Sequence, residues 1–298
     1  MKFILDLIKE RIVIFDGAMG TQLIDLGLKD GECPEAWNLY RPDDIRAIHE
    51  AYFRAGADVV STNTFGGTPV KLAKYDLSGK AVEINARGVE IAKSICPPGK
   101  YVAGDMGPTG LFLPPVGNAD INDIYSAFAM QAEILAGAGA DLLIIETQYD
   151  LREALAALKA AKTTGLPVFV TMTFDRKKRG YFTIMGDTPE KAMQELAMNG
   201  ADAAGANCNL DNAEYVELAY ILCAASDLPV IIQPNAGRPN IEGDKVSYSV
   251  TEDDFTKTVP EYIKAGVRII GSCCGSTPAF TKKITEAALI SQQPGIWG

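Results

Sequence analysis

The chain has 298 residues, of which 47 % are hydrophobic and 22 % charged, and this balance excludes a disordered or fibrous protein. Its 38 acidic against 28 basic side chains give a formal net charge of −10, and no cluster of Lys and Arg is long enough to follow a phosphate backbone. No segment is apolar enough to cross a bilayer and no signal-peptide pattern opens the chain, so we expect a cytoplasmic protein without nucleic-acid or membrane partners.

Short β-rich runs alternate with stretches of helical periodicity, a pattern typical of βαβ units and a parallel sheet. The eight runs span residues 11–18, 58–65, 101–108, 141–147, 167–174, 203–208, 229–237 and 268–275. Eight strand–helix units predict an α/β fold, the (β/α)8 TIM barrel, as a single domain over residues 1–298, with a doubly wound open sheet as the alternative. The Pro/Gly-rich loop 108–120 follows the third run and is expected near the barrel mouth.

Polar side chains stand where the apolar runs end. In a (β/α)8 barrel the carboxyl ends of the strands and the loops after them carry the chemistry. The residues in question are Asp16, Gly17, Thr62, Asn63, Thr64, Asp105, Glu146, Thr147, Asn207, Cys208, Asn235, Cys273 and Cys274. We therefore expect the functional site at the carboxyl-terminal mouth of the barrel.

The cysteines separate into two groups by their surroundings. In a large chain without an export signal, metal binding or catalysis is favoured over disulfides. Cys223 lies in a stretch of helical apolar spacing, which predicts a core position, whereas Cys33 and Cys96 fall in connections. The remaining three end the sixth and eighth strands, which flank the seventh strand and share one rim of a closed barrel.

Cys208, Cys273 and Cys274 form the pattern with the most chemical content. Three thiolates at one mouth can bind Zn²⁺ and leave a fourth position open, the mark of a catalytic site. Gly271 and Gly275 let the chain leave strand geometry, so the neighbouring cysteines need not face opposite ways. Three thiolates would make zinc a weak Lewis acid, suited to activating a substrate sulfur. A redox dithiol, a vicinal disulfide or core thiols remain the alternatives.

Several motifs together resemble the homocysteine S-methyltransferase family. They are DGAMGTQL (16–23), STNTF (61–65), GDMGPTG (104–110), ET (146–147), GANC (205–208), PNAG (234–237) and GSCCGSTP (271–278). The similarity covers essentially the whole chain, and the pair GANC and GSCCG is its most specific part. Within the family, the chain is most similar to the homocysteine-binding module of cobalamin-dependent methionine synthase.

The resemblance implies zinc-dependent transfer of a methyl group to the thiolate of L-homocysteine, forming methionine. It implies Cys208, Cys273 and Cys274 as zinc ligands, with Asn235 as a fourth ligand when substrate is absent. By the same resemblance, the residues that hold the amino and carboxylate groups of the substrate are Asp16, Gly17, Thr62 and Glu146.

The resemblance also implies a methylcorrinoid as methyl donor. A corrinoid-binding loop needs a histidine, and the only one, His49, lies in a helical pattern and is interpreted as a packing or surface residue. The chain ends one helix after the eighth strand, so we expect the corrinoid (methylcobalamin) on a separate partner protein.

Other functions stay open on the sequence alone. The donor can instead be S-methylmethionine, S-adenosylmethionine or betaine, and the acceptor another thiol. A different class is a barrel enzyme that binds a phosphorylated metabolite at strands seven and eight, although no strand end offers a lysine for Schiff-base chemistry. A third possibility is a non-catalytic zinc barrel that docks a corrinoid protein.

Overall fold

Eight parallel strands form the centre of the molecule. In the computed structural model, which describes residues 3–242 and 245–291, they are β1 (Val13–Ile14), β2 (Val59–Ser61), β3 (Tyr101–Met106), β4 (Leu142–Gln148), β5 (Val168–Met172), β6 (Ala203–Asp211), β7 (Val230–Asn235) and β8 (Ile269–Ile270). Their order is β1-β8-β7-β6-β5-β4-β3-β2. A parallel bridge between Phe15 and Val59 then joins the two ends. The predicted (β/α)8 barrel is confirmed, and the open sheet is excluded.

Helices surround this ring. Among the described residues they are α1 (Ile4–Glu10), α2 (Met19–Asp25), α3 (Trp37–Tyr40), α4 (Pro42–Ala55), α5 (Pro69–Leu72), α6 (Ala81–Ser94), α7 (Ile121–Gly137), α8 (Leu151–Lys162), α9 (Pro189–Met198), α10 (Glu214–Ala225), α11 (Glu252–Thr256), α12 (Val259–Ala265) and α13 (Pro278–Ser291). Local chemistry sets their ends: Pro42 opens α4, and Gly56, with φ 109°, ends it in the left-handed region. None of the described helices is long and apolar enough to cross a membrane.

The barrel interior is apolar towards the amino ends of the strands. Side chains from the strands, including Phe15, Ile144 and Phe169, form one buried cluster there, and Ile4 and Ile8 of α1 pack against it. The guanidinium of Arg268, just before β8, donates to the carbonyl of Ile8 and holds α1 in place. Alternation along the strands then brings polar residues into the interior at the carboxyl ends. The polar side chains of the barrel interior therefore lie at its carboxyl-terminal mouth.

Three features differ from the sequence expectations. Two antiparallel hairpins were not predicted: Asp175–Lys177 pairs with Gly180–Phe182 after β5, and Pro239–Glu242 pairs with Lys245–Tyr248 after β7. Strand β6 continues past residue 208 to Asp211. Strands β1 and β8 have two residues each, although hydrogen bonds to the neighbouring strands continue beyond them, as from the Phe15 N–H to the Ile270 carbonyl at 2.9 Å.

The loop 108–120 is anchored to α8. The backbone N–H and the hydroxyl of Thr109 both donate to Glu153 Oε1 at 2.7 Å, and Glu153 is buried. Arg152 Nη1 donates to the carbonyl of Pro114 at 2.7 Å, and Leu113 is buried in the main core. These contacts fix the loop after β3 against the helix that follows β4. Its position over the mouth stays a prediction.

His49 gives the protein a predicted sensitivity to acid. It is fully buried in α4, neither ring nitrogen has a hydrogen-bond partner among the described residues, and burial lowers its pKa to about 4. In the unfolded chain its pKa is about 6.5, so below that pH the unfolded state gains a proton that the folded state resists. Between about pH 6.5 and pH 4 this residue alone should cost about 3 kcal/mol of stability.

The test is urea unfolding of the native protein and of His49→Leu at pH 7 and at pH 4.5. We expect the variant to lose less stability over this interval than the native protein, whatever its stability at pH 7. An equal loss in both proteins would contradict the assignment.

Candidate metal and substrate site

Three thiols meet at the rim formed by β6, β7 and β8. The sulfur of Cys208 lies 3.7 Å from that of Cys274, which lies 4.0 Å from that of Cys273, and all three fall within 4.8 Å of one another. In a tetrahedral zinc site with Zn–S bonds of about 2.3 Å, neighbouring sulfurs are roughly 3.8 Å apart. The spacing of these thiols therefore fits one metal ion of that size. All six cysteines are free, so the vicinal disulfide is not formed.

Unusual backbone geometry brings the thiols together. Cys208 and Asn209 adopt left-handed conformations with φ 62° and 60°, and the β6–β7 register shifts between Asn207 and Asp211. Such conformations cost non-glycine residues about 1–3 kcal/mol each and cluster at functional sites. Cys273 and Cys274 follow the end of β8, where hydrogen bonds to the β7 segment fix them: Cys273 N–H donates to the Pro234 carbonyl at 2.7 Å. The neighbouring cysteines are thus outside regular strand geometry.

Hydrogen bonds couple the three thiols to one another. Hydrogen bonds from Cys273 and Cys274 lower the pKa of Cys208 to about 3. The same contacts with Cys208 raise the pKa of Cys273, and they raise that of Cys274 to about 12. The contacts thus favour the thiolate of Cys208 over those of its two neighbours. A divalent cation bound here would displace the remaining thiol protons and convert all three side chains to thiolates.

Asn235, at the end of β7, adds a fourth donor atom. Its side chain is 3 % exposed, and its Oδ1 has no hydrogen-bond partner among the described residues. A hydrogen bond from Asn235 also contributes to the lowered pKa of Cys208, which places the amide beside that thiol. An unpaired buried carbonyl oxygen is costly, and a metal ion or a ligand would satisfy it.

Two of the predicted substrate residues are buried carboxylates. Burial raises the pKa of Asp16 well above its usual value, although Oδ2 accepts a hydrogen bond from the Ser61 N–H at 2.8 Å. Burial, and then the charge of Cys208, raises the pKa of Glu146 to about 7. Both groups therefore lie in surroundings that favour a cationic partner.

The other two predicted substrate residues are packed tightly. A Cβ on Gly17 would lie 2.5 Å from Ser276 Oγ and 2.9 Å from Ser272 Oγ, so a larger residue would have to displace these two hydroxyls. The hydroxyl of Thr62 is used within the protein: it lies 2.6 Å from Thr64 Oγ1 and accepts the Asp105 N–H. Thr62 thereby links β2 to β3, and its hydroxyl has less capacity left for a ligand.

Two further residues lie beside the thiols: Asn207, which the sequence analysis named only as a polar strand end, and Tyr248, which it did not name. Asn207 Nδ2 donates to Thr147 Oγ1 at 2.8 Å and lies 3.8 Å from the Cys273 sulfur, so it ties this thiol to β4. The ring of Tyr248, from the second hairpin, packs on Gly275. Burial and the charges of Cys274 and Cys208 raise the pKa of Tyr248. Alternation in VSYSV (246–250) was the only sequence signal for this residue.

Fold and site together define a (β/α)8 barrel enzyme with a three-thiol centre at the carboxyl ends of its strands. The chain belongs to the homocysteine S-methyltransferase family, because the family model for homocysteine S-methyltransferase matches residues 13–288. The resemblance inferred from the motifs is confirmed, and with it the enzyme class, an S-methyltransferase.

Two individual relatives are consistent with this family assignment. Methionine synthase of Mycobacterium tuberculosis (strain ATCC 25618 / H37Rv) is 33 % identical over 310 residues, which cover 98 % of this chain and 26 % of that protein. Methionine synthase of Mycobacterium leprae (strain TN) is 33 % identical over 303 residues, covering 95 % and 25 %. The chain thus spans about a quarter of the length of these relatives.

A solved structure shares the fold. The metallated form of the homocysteine methyltransferase MmuM from Escherichia coli superimposes with a TM-score of 0.79 at 24 % identity, covering 94 % of this chain and 97 % of that one. Its oxidized form gives a TM-score of 0.80 at 23 % identity, with coverage of 96 % and 99 %. At this level of identity the likeness shows the fold alone.

Proposed function

We propose that this chain, as one domain over residues 1–298, transfers a methyl group to the thiolate of L-homocysteine and forms methionine at a zinc site. Cys208, Cys273 and Cys274 are the proposed zinc ligands, with Asn235 as a fourth ligand before substrate binds. The observation that carries the proposal is the spacing of the three sulfurs, which matches the tetrahedral zinc geometry. The identity to methionine synthases and the metallated state of MmuM support it.

The side chains of the mouth position the acceptor. A bound zinc ion supplies a positive centre that keeps an acceptor sulfur deprotonated near neutral pH. Asp16 and Glu146 face the ammonium group of the amino acid, and the backbone at Gly17 approaches its carboxylate. Thr62 supports this part of the site through its hydrogen bonds to Thr64 and Asp105 rather than by donating to the ligand. These contacts convert a bimolecular collision into a positioned attack.

The transfer step is a direct displacement. The acceptor sulfur forms a bond to the methyl carbon while the bond between the methyl group and the donor breaks. The electron pair of the broken bond leaves with the donor. The thiol proton is released to solvent when the acceptor binds. No covalent methyl-enzyme intermediate is required, so the chain contributes positioning and the charge of its thiols.

The proposed donor is a methylcorrinoid carried by a separate protein. The proposed location is the cytoplasm, whose reducing conditions would keep the six free cysteines reduced. The name of the relatives, methionine synthase, supports methionine as the product. S-methylmethionine, S-adenosylmethionine and betaine are the alternative donors, and another thiol is the alternative acceptor.

One preparation tests the proposal. Zinc is measured on the purified protein, which is then assayed for methionine formation from homocysteine with each donor, before and after chelation. We expect about one zinc per chain, turnover with one donor class, loss on chelation and recovery with added zinc. Turnover that survives chelation would contradict the zinc mechanism. Absence of zinc would favour an enzyme that acts on a phosphorylated metabolite. Bound zinc without methyl transfer from any donor would favour a role as a docking protein.

A further inference from the structure

A buried amide faces the sulfur of Cys273. Asn207 of β6 is fully buried, and its Oδ1 accepts the Thr147 N–H at 2.8 Å and the Thr171 hydroxyl at 2.9 Å. Its Nδ2 donates one proton to Thr147 Oγ1 at 2.8 Å and the other to the Cys273 sulfur at 3.8 Å. An amide has two donor and two acceptor positions, so all four are used. The surrounding strands therefore hold one N–H of Asn207 against a site thiol.

The other two site thiols have donors from other segments. The hydroxyl of Tyr248 forms a hydrogen bond with Cys274, and the ring of this tyrosine packs on Gly275. A tyrosine hydroxyl keeps its proton near neutral pH, so it donates to the sulfur. The backbone N–H of Asn209 forms a hydrogen bond with Cys208. Three different donors thus serve the three sulfurs of the site.

The three cysteines compete with the acceptor for the methyl group. A thiolate is a nucleophile as well as a metal ligand, and this holds for the thiolates of the chain as it does for that of the acceptor. Attack by a cysteine would form a bond between its sulfur and the methyl carbon, and the electron pair of the broken bond would leave with the donor. The cysteine would become a neutral thioether and its thiolate would be lost. Such a site has to direct the methyl group to the acceptor.

We propose that Asn207 and Tyr248 are specificity-determining residues that direct the methyl group to the acceptor and away from the site cysteines; this inference rests on the proposed function. A hydrogen bond to a thiolate stabilises the charge on its sulfur. The bond weakens as the sulfur shares its electron pair with carbon, so it slows attack by that sulfur. Both donors are committed to sulfurs of the chain. An acceptor sulfur in the fourth position therefore keeps its full reactivity.

The test exposes the zinc-loaded protein to methyl iodide, without homocysteine or another methyl donor. Peptide mass spectrometry gives the methylation rate of each cysteine, and Cys96, which lies between α6 and β3, is the internal reference. Tyr248→Phe keeps the ring and removes the hydroxyl, so we expect Cys274 to react about tenfold faster and Cys273 at its native rate. Asn207→Leu keeps the bulk of the side chain and removes the amide. We expect this variant to show the reverse pattern.

Thr171→Val is the matched control, because it removes a hydrogen bond to Asn207 Oδ1 and leaves the N–H that faces Cys273. We expect native rates at both site cysteines. Native rates in the two donor variants, or equal acceleration of both cysteines in each, would overturn the inference alone. Loss of zinc from both variants would also overturn it, because the two residues would then serve metal binding. If Asn207→Leu does not fold, the result for Tyr248→Phe decides. A native protein without zinc would overturn the proposed function as well.

Discussion

Cys208→Ala is expected to abolish both zinc binding and methyl transfer while the barrel stays folded. The substitution removes one of the three clustered thiols and leaves only the neighbouring pair. Two thiols hold a zinc ion far more weakly than three. Since metal activation is worth several kcal/mol, we expect turnover to fall at least about a thousandfold. Zinc content, methionine formation and circular dichroism of one sample measure the three effects.

Cys223→Ala is the matched control for this substitution. Cys223 lies in α10, packs against the main core and contacts none of the three site thiols within the described residues. We expect it to keep its zinc and its activity with a small loss of stability. Full zinc content in Cys208→Ala would show that the trio is not the metal site.

Gly205→Ala is the substitution with the largest expected effect on stability. Gly205 lies in the middle of β6, and a Cβ there would overlap the backbone carbonyl of Ile231 in β7. A backbone atom cannot rotate away, so β6 and β7 would have to separate at the centre of the ring. We expect a loss of about 3–5 kcal/mol, a large part of the stability of a typical domain. Urea unfolding measures this loss.

Gly137→Ala serves as the control, because a Cβ at the end of α7 meets no atom within 4 Å. Alanine is the better helix former there, and we expect a change of less than about 1 kcal/mol, towards higher stability. If the two variants unfolded alike, steric conflict at Gly205 would not be the reason for this glycine. In the motif GANC (205–208), Gly205 is therefore needed for the packing of β6 against β7, and Cys208 supplies a thiol of the site.

The sequence predicted the barrel and its mouth well because both follow from local patterns. Each strand has an apolar run, and each polar strand end is visible in its own segment. The hairpins were missed because strands such as DRK (175–177) are short and polar and have no apolar pattern. Strand β6 was predicted too short because its last residues, NLD, look like a loop.

The roles of single residues at the mouth were harder to predict. Asn207 was visible as a polar strand end, but its contact with Cys273 depends on the order of the strands in the ring, which no local pattern contains. The motif resemblance selected Thr62, whose hydroxyl is used between two strands. Tyr248 reaches the thiols through a tertiary contact from a separate hairpin. These contacts arise from the three-dimensional arrangement of distant segments.

The position of β8 in the ring connects the order of folding to the chemistry. It is the last strand among the described residues, it fills the gap between β7 and β1, and Cys273 and Cys274 follow it after two residues. Cys208 therefore has no thiol neighbours until β8 has paired with β7, and a chain folded only as far as β7 cannot hold the proposed metal. A metal bound afterwards would join the ends of β6 and β8 across β7. Its main kinetic effect should then be to slow unfolding rather than to speed folding.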